Sequence, residues 1–282
     1  MASRSLWLGI TLVLVPLCAL LARQSLLPDV SPATSLGLVD GSSASLWLWL
    51  PLTAAERSAD ICRATQVTVS WGRRGEPGTQ SPLPQSMPVT LEGSPYMRSC
   101  AAAVRLVELE PSAEYEYRVT FKVPTRSGKV VRSGGFRTFL RAGESGQFSF
   151  VLGSCLQSMP GIAMYPLRRV GEQAEMLMFV GDAVYVDRPF NFFSSYEDLY
   201  TLLVRDPYFS SLTSSTPSVF MYDDHEIANN WDKGEGGLFR DAIGNWTWFL
   251  GRRNRESPAG APPRARFFSF EQGDVGFMVL DT

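Results

Sequence analysis

The sequence uses histidine once in 282 residues, and places it in a dense polar run. Phe220 to Trp231 reads FMYDDHEIANNW, so His225 sits between Asp224 and Glu226, directly after an apolar stretch. Two further clusters carry chemistry of the same kind. Gly153-Ser154-Cys155 is one, and Gly181-Asp182 with Tyr185 three residues on is the other. Carboxylate and amide oxygens, as in Asp182, Asp223, Asp224 and Asn229, bind hard divalent or trivalent cations. A phenolate or thiolate, such as Tyr185 or Cys155, joins when the ion is strongly Lewis-acidic, ferric iron for example. A Cys155–His225 dyad is the competing nucleophilic reading. No serine stands in a nucleophile elbow, and neither a Walker A loop nor a Rossmann fingerprint occurs.

These clusters need elements to position them, and the chain supplies a strand before each. FSFVLGS, EMLMFVGD and PSVFMYDD read as buried strands. YPLRRVGEQ reads as a short helix, SSYEDLYTLLVRDPYFSSLTSS as helix broken before Pro207, and LFRDAIGNWTWFLG as helix. RFFSFEQGDVGFMVLDT reads as a hairpin turning at Gln272-Gly273-Asp274. Continuous apolar strands alternating with helices indicate an α/β domain over 147–282, its sheet covered on both faces. Ligands bind such sheets beyond the carboxyl ends of the strands, where all three clusters lie.

Ahead of this domain, residues 35–142 read as short strands between Gly-, Pro- and Ser-rich turns. SLWLWLPL, QVTVSWG, AAAVRLVEL, YEYRVTFKV and GGFRTFL alternate with period two. LEPSAEYEYRVTF resembles the fibronectin III pattern, a turn before a tyrosine-rich strand; any antiparallel sandwich is the other reading. The polar run from Arg141 to Gln147 links the two parts.

Residues 1–24, MASRSLWLGITLVLVPLCALLARQ, have Arg4 and then an uncharged apolar run from Leu6 to Ala22. This is a secretory signal peptide or an uncleaved membrane anchor, and it predicts a secreted, extracytoplasmic or membrane-anchored protein. Cys62 and Cys100 flank a β-rich stretch and can pair in an oxidising compartment, which leaves Cys155 unexplained. Asn245-Trp246-Thr247 is an N-glycosylation sequon. A net charge of −2 and a sequence pI near 5.6 give no basic footprint, which sets nucleic acid aside as a partner.

Each candidate also has a structural reading. Cys155 can be a small buried hydrophobe, Asp182 a cap, Tyr185 packing, His225 a surface or capping residue, and Asp223 a structural carboxylate. Asn230 and Trp231 suit packing or turns, while Tyr196, Tyr200 and Arg205 lie on the helical segment.

From Phe148 onward the sequence resembles the PhoD-like alkaline phosphatases of the metallophosphoesterase superfamily. The resemblance rests on GSC at 153–155, GDAVYVD at 181–187, DDHEIANNW at 223–231 and the terminal LDT. It implies hydrolysis of phosphate mono- and diesters by a metal-bound hydroxide, with iron(III) and calcium as cofactors. It places Cys155 and Tyr185 on iron, makes Asp182 a bridge between metals, makes Asn229 a ligand, and sets Asp224 and His225 beside the metals and the phosphate. The family continues beyond its LDT element with a further Asp-x-His motif, whereas this sequence stops at Thr282 without a second histidine. The expectation is therefore a C-terminally truncated half-site. The alternative is a degenerate, non-catalytic exported binding protein.

Overall fold

The computed structural model describes residues 30–75, 83–95, 97–156, 167–169, 173–186, 195–262 and 265–280. The leader 1–24 lies outside the described residues, as do Asp281 and Thr282 of the LDT element and Asp187. Of YPLRRVGEQ only 167–169, which are helical, and Gln173 are described. Among the described residues no helix is long and apolar enough to cross a membrane.

The N-terminal half is a sandwich of two antiparallel sheets. One has the order β1 (Ala33–Val39), β2 (Ala44–Pro51), β6 (Ser99–Leu106), β5 (Glu92–Gly93). The other has the order β4 (Gln85–Val89), β3 (Gln66–Arg73), β7 (Glu114–Lys122), β8 (Val130–Arg137). Strand β7 shows why: in EYEYRVTFK, Tyr115, Tyr117, Val119 and Phe121 point into the core, and the charged residues between them point out. The Tyr115 hydroxyl accepts the Glu110 N–H at 2.8 Å, which fixes the turn entering β7. Helix α1 (Ala59–Ala64) is tied to the sheet by a Cys62–Cys100 disulfide with Cα atoms 5.5 Å apart.

Strand β2 is the hinge of the architecture. Its run LWLWL is continuously apolar because both faces are buried. Leu46, Leu48 and Leu50 fill the sandwich core, while Trp47 and Trp49 enter a second core with the C-terminal half. Trp47 also donates its indole N–H to the Trp248 carbonyl at 3.0 Å. Truncating either tryptophan to alanine would cost roughly 3–5 kcal/mol.

That second core sits on a parallel sheet, order β11-β10-β9, built from β9 (Phe150–Gly153), β10 (Met176–Val180) and β11 (Ser218–Met221). Helices α2 (Tyr196–Arg205), α3 (Pro207–Thr213) and α4 (Phe239–Phe249) send their apolar stripes onto Leu177, Phe179 and Phe220. The α2–α3 break falls before Pro207, where the Asp206 carboxylate accepts the N–H groups of Tyr208 and Phe209 as an N-cap.

The sheet is covered on both faces, as the alternating pattern predicts, with helices on one face only. The opposite face, with Met176, Val219 and Met221, packs with the hairpin β12 (Phe268–Gln272) and β13 (Val275–Val279) through Phe268, Phe270 and Val279. Strand period decides this: Phe268, Phe270 and Gln272 alternate inward with Ser269 and Glu271 outward. Leu152 on β9 and Met278 on β13 stand 60% and 76% exposed.

The sequon at Asn245 is also corrected. Asn245 lies on α4, is 7% exposed, and donates its side-chain amide to the Asp241 carbonyl at 2.9 Å. A glycan needs an accessible loop asparagine, so the folded chain offers none here.

Arg253 locks the two halves together, and its neighbour Asn254 closes a strand edge within the C-terminal half. Arg253 is buried with its guanidinium 4.4 Å from the Trp47 ring, and donates to Ser35 Oγ at 2.8 Å. Asn254 pairs its side-chain amide with the backbone of Phe220, accepting at 3.0 Å and donating at 2.6 Å. It thereby occupies the open edge of β11.

Candidate metal centre

The three parallel strands run in register, with Phe179 opposite both Gly153 and Phe220. Their carboxyl ends therefore open side by side and release Cys155, Asp182 and Asp223 into one region. Gly181 makes the close approach possible. Its φ is +101°, and a Cβ there would lie 2.5 Å from the Asp223 Cβ.

Asp182 is the hub. Its Oδ2 accepts from Cys155 Sγ at 3.3 Å and from the Tyr185 hydroxyl at 3.0 Å. Ligand atoms of Asp182, Asp224 and His225 all lie within 4.8 Å of one another. The Tyr185 and His225 rings meet with centroids 4.2 Å apart. Asp224 Oδ2 accepts the Asn230 N–H, which folds the loop carrying Asn229 back over the cluster. Asn229 itself is exposed in that loop. Asp223 takes the structural role, its Oδ1 accepting the Asp224 N–H at 2.9 Å as the cap of a short 3-10 turn, Asp224–Glu226. Tyr196 supports the same loop by donating to the Ile227 carbonyl at 2.7 Å.

The cluster is held in uncommon backbone. Cys155, Asp182 and Asn230 have φ of 56°, 58° and 54°, half of the six non-glycine residues with positive φ among those described. Such residues cost about 1–3 kcal/mol each and gather at ligand sites.

A cation fits this arrangement. Asp182 is 7% exposed, and its Oδ1 is buried without a hydrogen-bond partner. An orphaned carboxylate oxygen is costly unless a positive charge meets it. Burial pushes the Tyr185 phenol well above its usual value, helped by Cys155 and Asp182 beside it. A phenolate here therefore needs the field of a bound cation.

Glu226 is the residue that sequence reading passed over. It is fully buried, and its carboxylate takes four backbone N–H groups. Oε2 accepts from Asp182 at 2.9 Å and Asp223 at 2.8 Å; Oε1 accepts from Ala183 at 2.5 Å and Val184 at 3.4 Å. Burial pushes its carboxyl up to about 7, against the lowering effect of those N–H groups. The signal was present: Asp223-x-x-Glu226 is a capping box, and the structure forms it.

A cavity of about 1130 Å³ lies elsewhere, between Met87–Thr90, Ala102–Arg105 and the loop after α4. It shares no residue with the strand-end cluster, whose ligand types carry the chemistry.

A sandwich packed on an α/β layer, with ligands at the carboxyl ends of parallel strands, is the fold of the metallophosphatases. The solved structure of PhoD superposes with a TM-score of 0.67 at 20% identity, over 89% of this chain and 51% of that one. The purple acid phosphatase PPD1 of yellow lupin (Lupinus luteus) seeds superposes with a TM-score of 0.59 at 12% identity, over 88% of this chain and 44% of its own. The chain thus spans about half the length of the structures it matches. Residues 150–282 match the family model of the PhoD-like phosphatases, and this part of the chain is a PhoD-like phosphatase domain. No curated protein sequence matches the chain.

Proposed function

We propose that the chain supplies metal-binding and catalytic residues for hydrolysis of phosphate mono- and diesters. The observation that carries this reading is the convergence on Asp182: its Oδ2 accepts from Cys155 and Tyr185, and ligand atoms of Asp182, Asp224 and His225 lie within 4.8 Å of one another. A thiolate and a phenolate suit a strongly Lewis-acidic ion such as iron(III). The remaining oxygen donors, with Asn229, suit calcium. Bound cations supply Lewis-acid charge stabilisation and lower the pKa of water.

The chain's own residues do the rest. Asp182 would hold metal together with Asp224 and His225. Tyr185 packs on the His225 ring and restricts its orientation. His225 bonds a phosphate oxygen or the leaving group, and Asp224 holds the Asn229 loop in place. The strand orders and the Tyr115–Glu110 corner support a fibronectin III-like sandwich. The Cys62–Cys100 disulfide supports export by the N-terminal segment.

The test is an aryl phosphodiester assay on protein from its native gene. Chelation should abolish turnover, and calcium with ferric iron should restore it. Turnover that survives chelation but vanishes in Cys155→Ser would overturn the metal reading in favour of a cysteine nucleophile.

A further inference from the structure

Beyond the ligands themselves, the geometry points to Glu226 as the residue that holds the two ligand loops in one register. Its role in metal binding rests on the reading above; its role in loop geometry does not. Oε2 accepts N–H groups from Asp182, in the loop after β10, and from Asp223, in the loop after β11. One oxygen therefore joins loops whose residues are more than forty positions apart, Asp182 lying 44 positions from Glu226. Oε1 adds Ala183 and Val184. The carboxylate meets the chain through donors only.

This pattern fixes what can replace it. Glutamine has the same size, but its amide nitrogen is a donor. Whichever way the amide turns, –NH₂ faces N–H groups that have lost their acceptor. Aspartate keeps both acceptors on a stem one methylene shorter, so it cannot reach both loops fully. Asp182 has left-handed backbone and its own N–H is one of those held, so loss of the clamp acts directly on the orientation of its side chain. Glu226 touches no substrate in this account. It is a positioning residue, acting through Asp182 and Asp223.

The experiment compares wild-type protein, Glu226→Gln and Glu226→Asp by amide hydrogen exchange and by titration with Mn²⁺ alone. In Glu226→Gln the amides of Asp182, Ala183 and Asp223 should exchange at least tenfold faster, while those of β3 and β7 stay unchanged. Mn²⁺ affinity should fall at least tenfold, with Glu226→Asp intermediate in both. Wild-type exchange at those three amides in either folded variant overturns the clamp. Faster exchange with unchanged Mn²⁺ affinity overturns the positioning role. Wild-type protein that takes no Mn²⁺ contradicts the metal reading instead, and exchange still decides the clamp. If Glu226→Gln fails to fold, Glu226→Asp carries the test.

Discussion

Cys155 Sγ donates to Asp182 Oδ2 at 3.3 Å, although 27 positions separate the two residues. Both sit in left-handed backbone just beyond neighbouring parallel strands. Neither strand alone would hold such a residue in place. The sheet register and the Glu226 clamp do so together, and the result is a prearranged thiol–carboxylate–phenol group with one carboxylate oxygen left unpaired.

Asn229 is exposed in the loop that the Asn230 N–H ties to Asp224 Oδ2. Asn229→Ala should lower bound metal and kcat together, each at least tenfold, with the fold retained by circular dichroism. Elemental analysis after dialysis checks it; unchanged metal content would remove Asn229 from the ligand set.

Gly181→Ala tests the approach of the loops. The added Cβ would overlap Asp223 at 2.5 Å, in a backbone with φ of +101°. The conformational penalty alone is about 1–2 kcal/mol, and the clash adds to it. Thermal melts should show this loss with metal affinity reduced; a variant matching wild type in both would show that the loops separate freely.

Glu56 is buried against Arg126, with Nη2 to Oε2 at 2.6 Å, and also accepts from Thr125 and the Thr53 N–H. The Arg126 hydrogen bond leads in holding its carboxyl far below the ordinary 4.5. A depressed folded pKa contributes stability that is present above pH 4.5 and lost as pH falls below it. Glu56→Gln should therefore cost roughly 3 kcal/mol at pH 7, with the gap to wild type closing on acidification from pH 4.5 toward 2. A gap independent of pH would contradict the ionised pair.

The Cys62–Cys100 bridge closes a separation of 38 residues. Loop-closure entropy of that size corresponds to about 4 kcal/mol. Denaturant unfolding in the presence of reductant should show a loss of that order; equal stability with and without reductant would mean the bridge does not form.

The ligand-bearing strand ends were legible because β9, β10 and β11 are short apolar runs, each ending in polar residues with ligand chemistry. The hairpin was legible from its alternation about Gly273-Asp274. Other features were hidden for physical reasons. Strand β4, QSMPV, carries a proline and polar residues because it is a sheet edge, and β5 has two residues. The double burial of β2 depends on what packs on Trp47 and Trp49, which no local pattern reveals. Glu226 looked like one more acidic neighbour of His225, because four backbone N–H groups leave no trace in side-chain chemistry. The Asn245 sequon is a three-residue pattern that carries no information on burial, and Asn245 is buried on α4.

The proposed function depends most on Asp182 as a metal ligand. Cations bound per chain, counted by elemental analysis in protein from the native gene, test it most directly. The account predicts about two in the wild type and loss of both in Asp182→Asn, which keeps the size of the side chain and removes its charge. A wild-type protein that holds none, or an Asp182→Asn variant that holds as many, would contradict it.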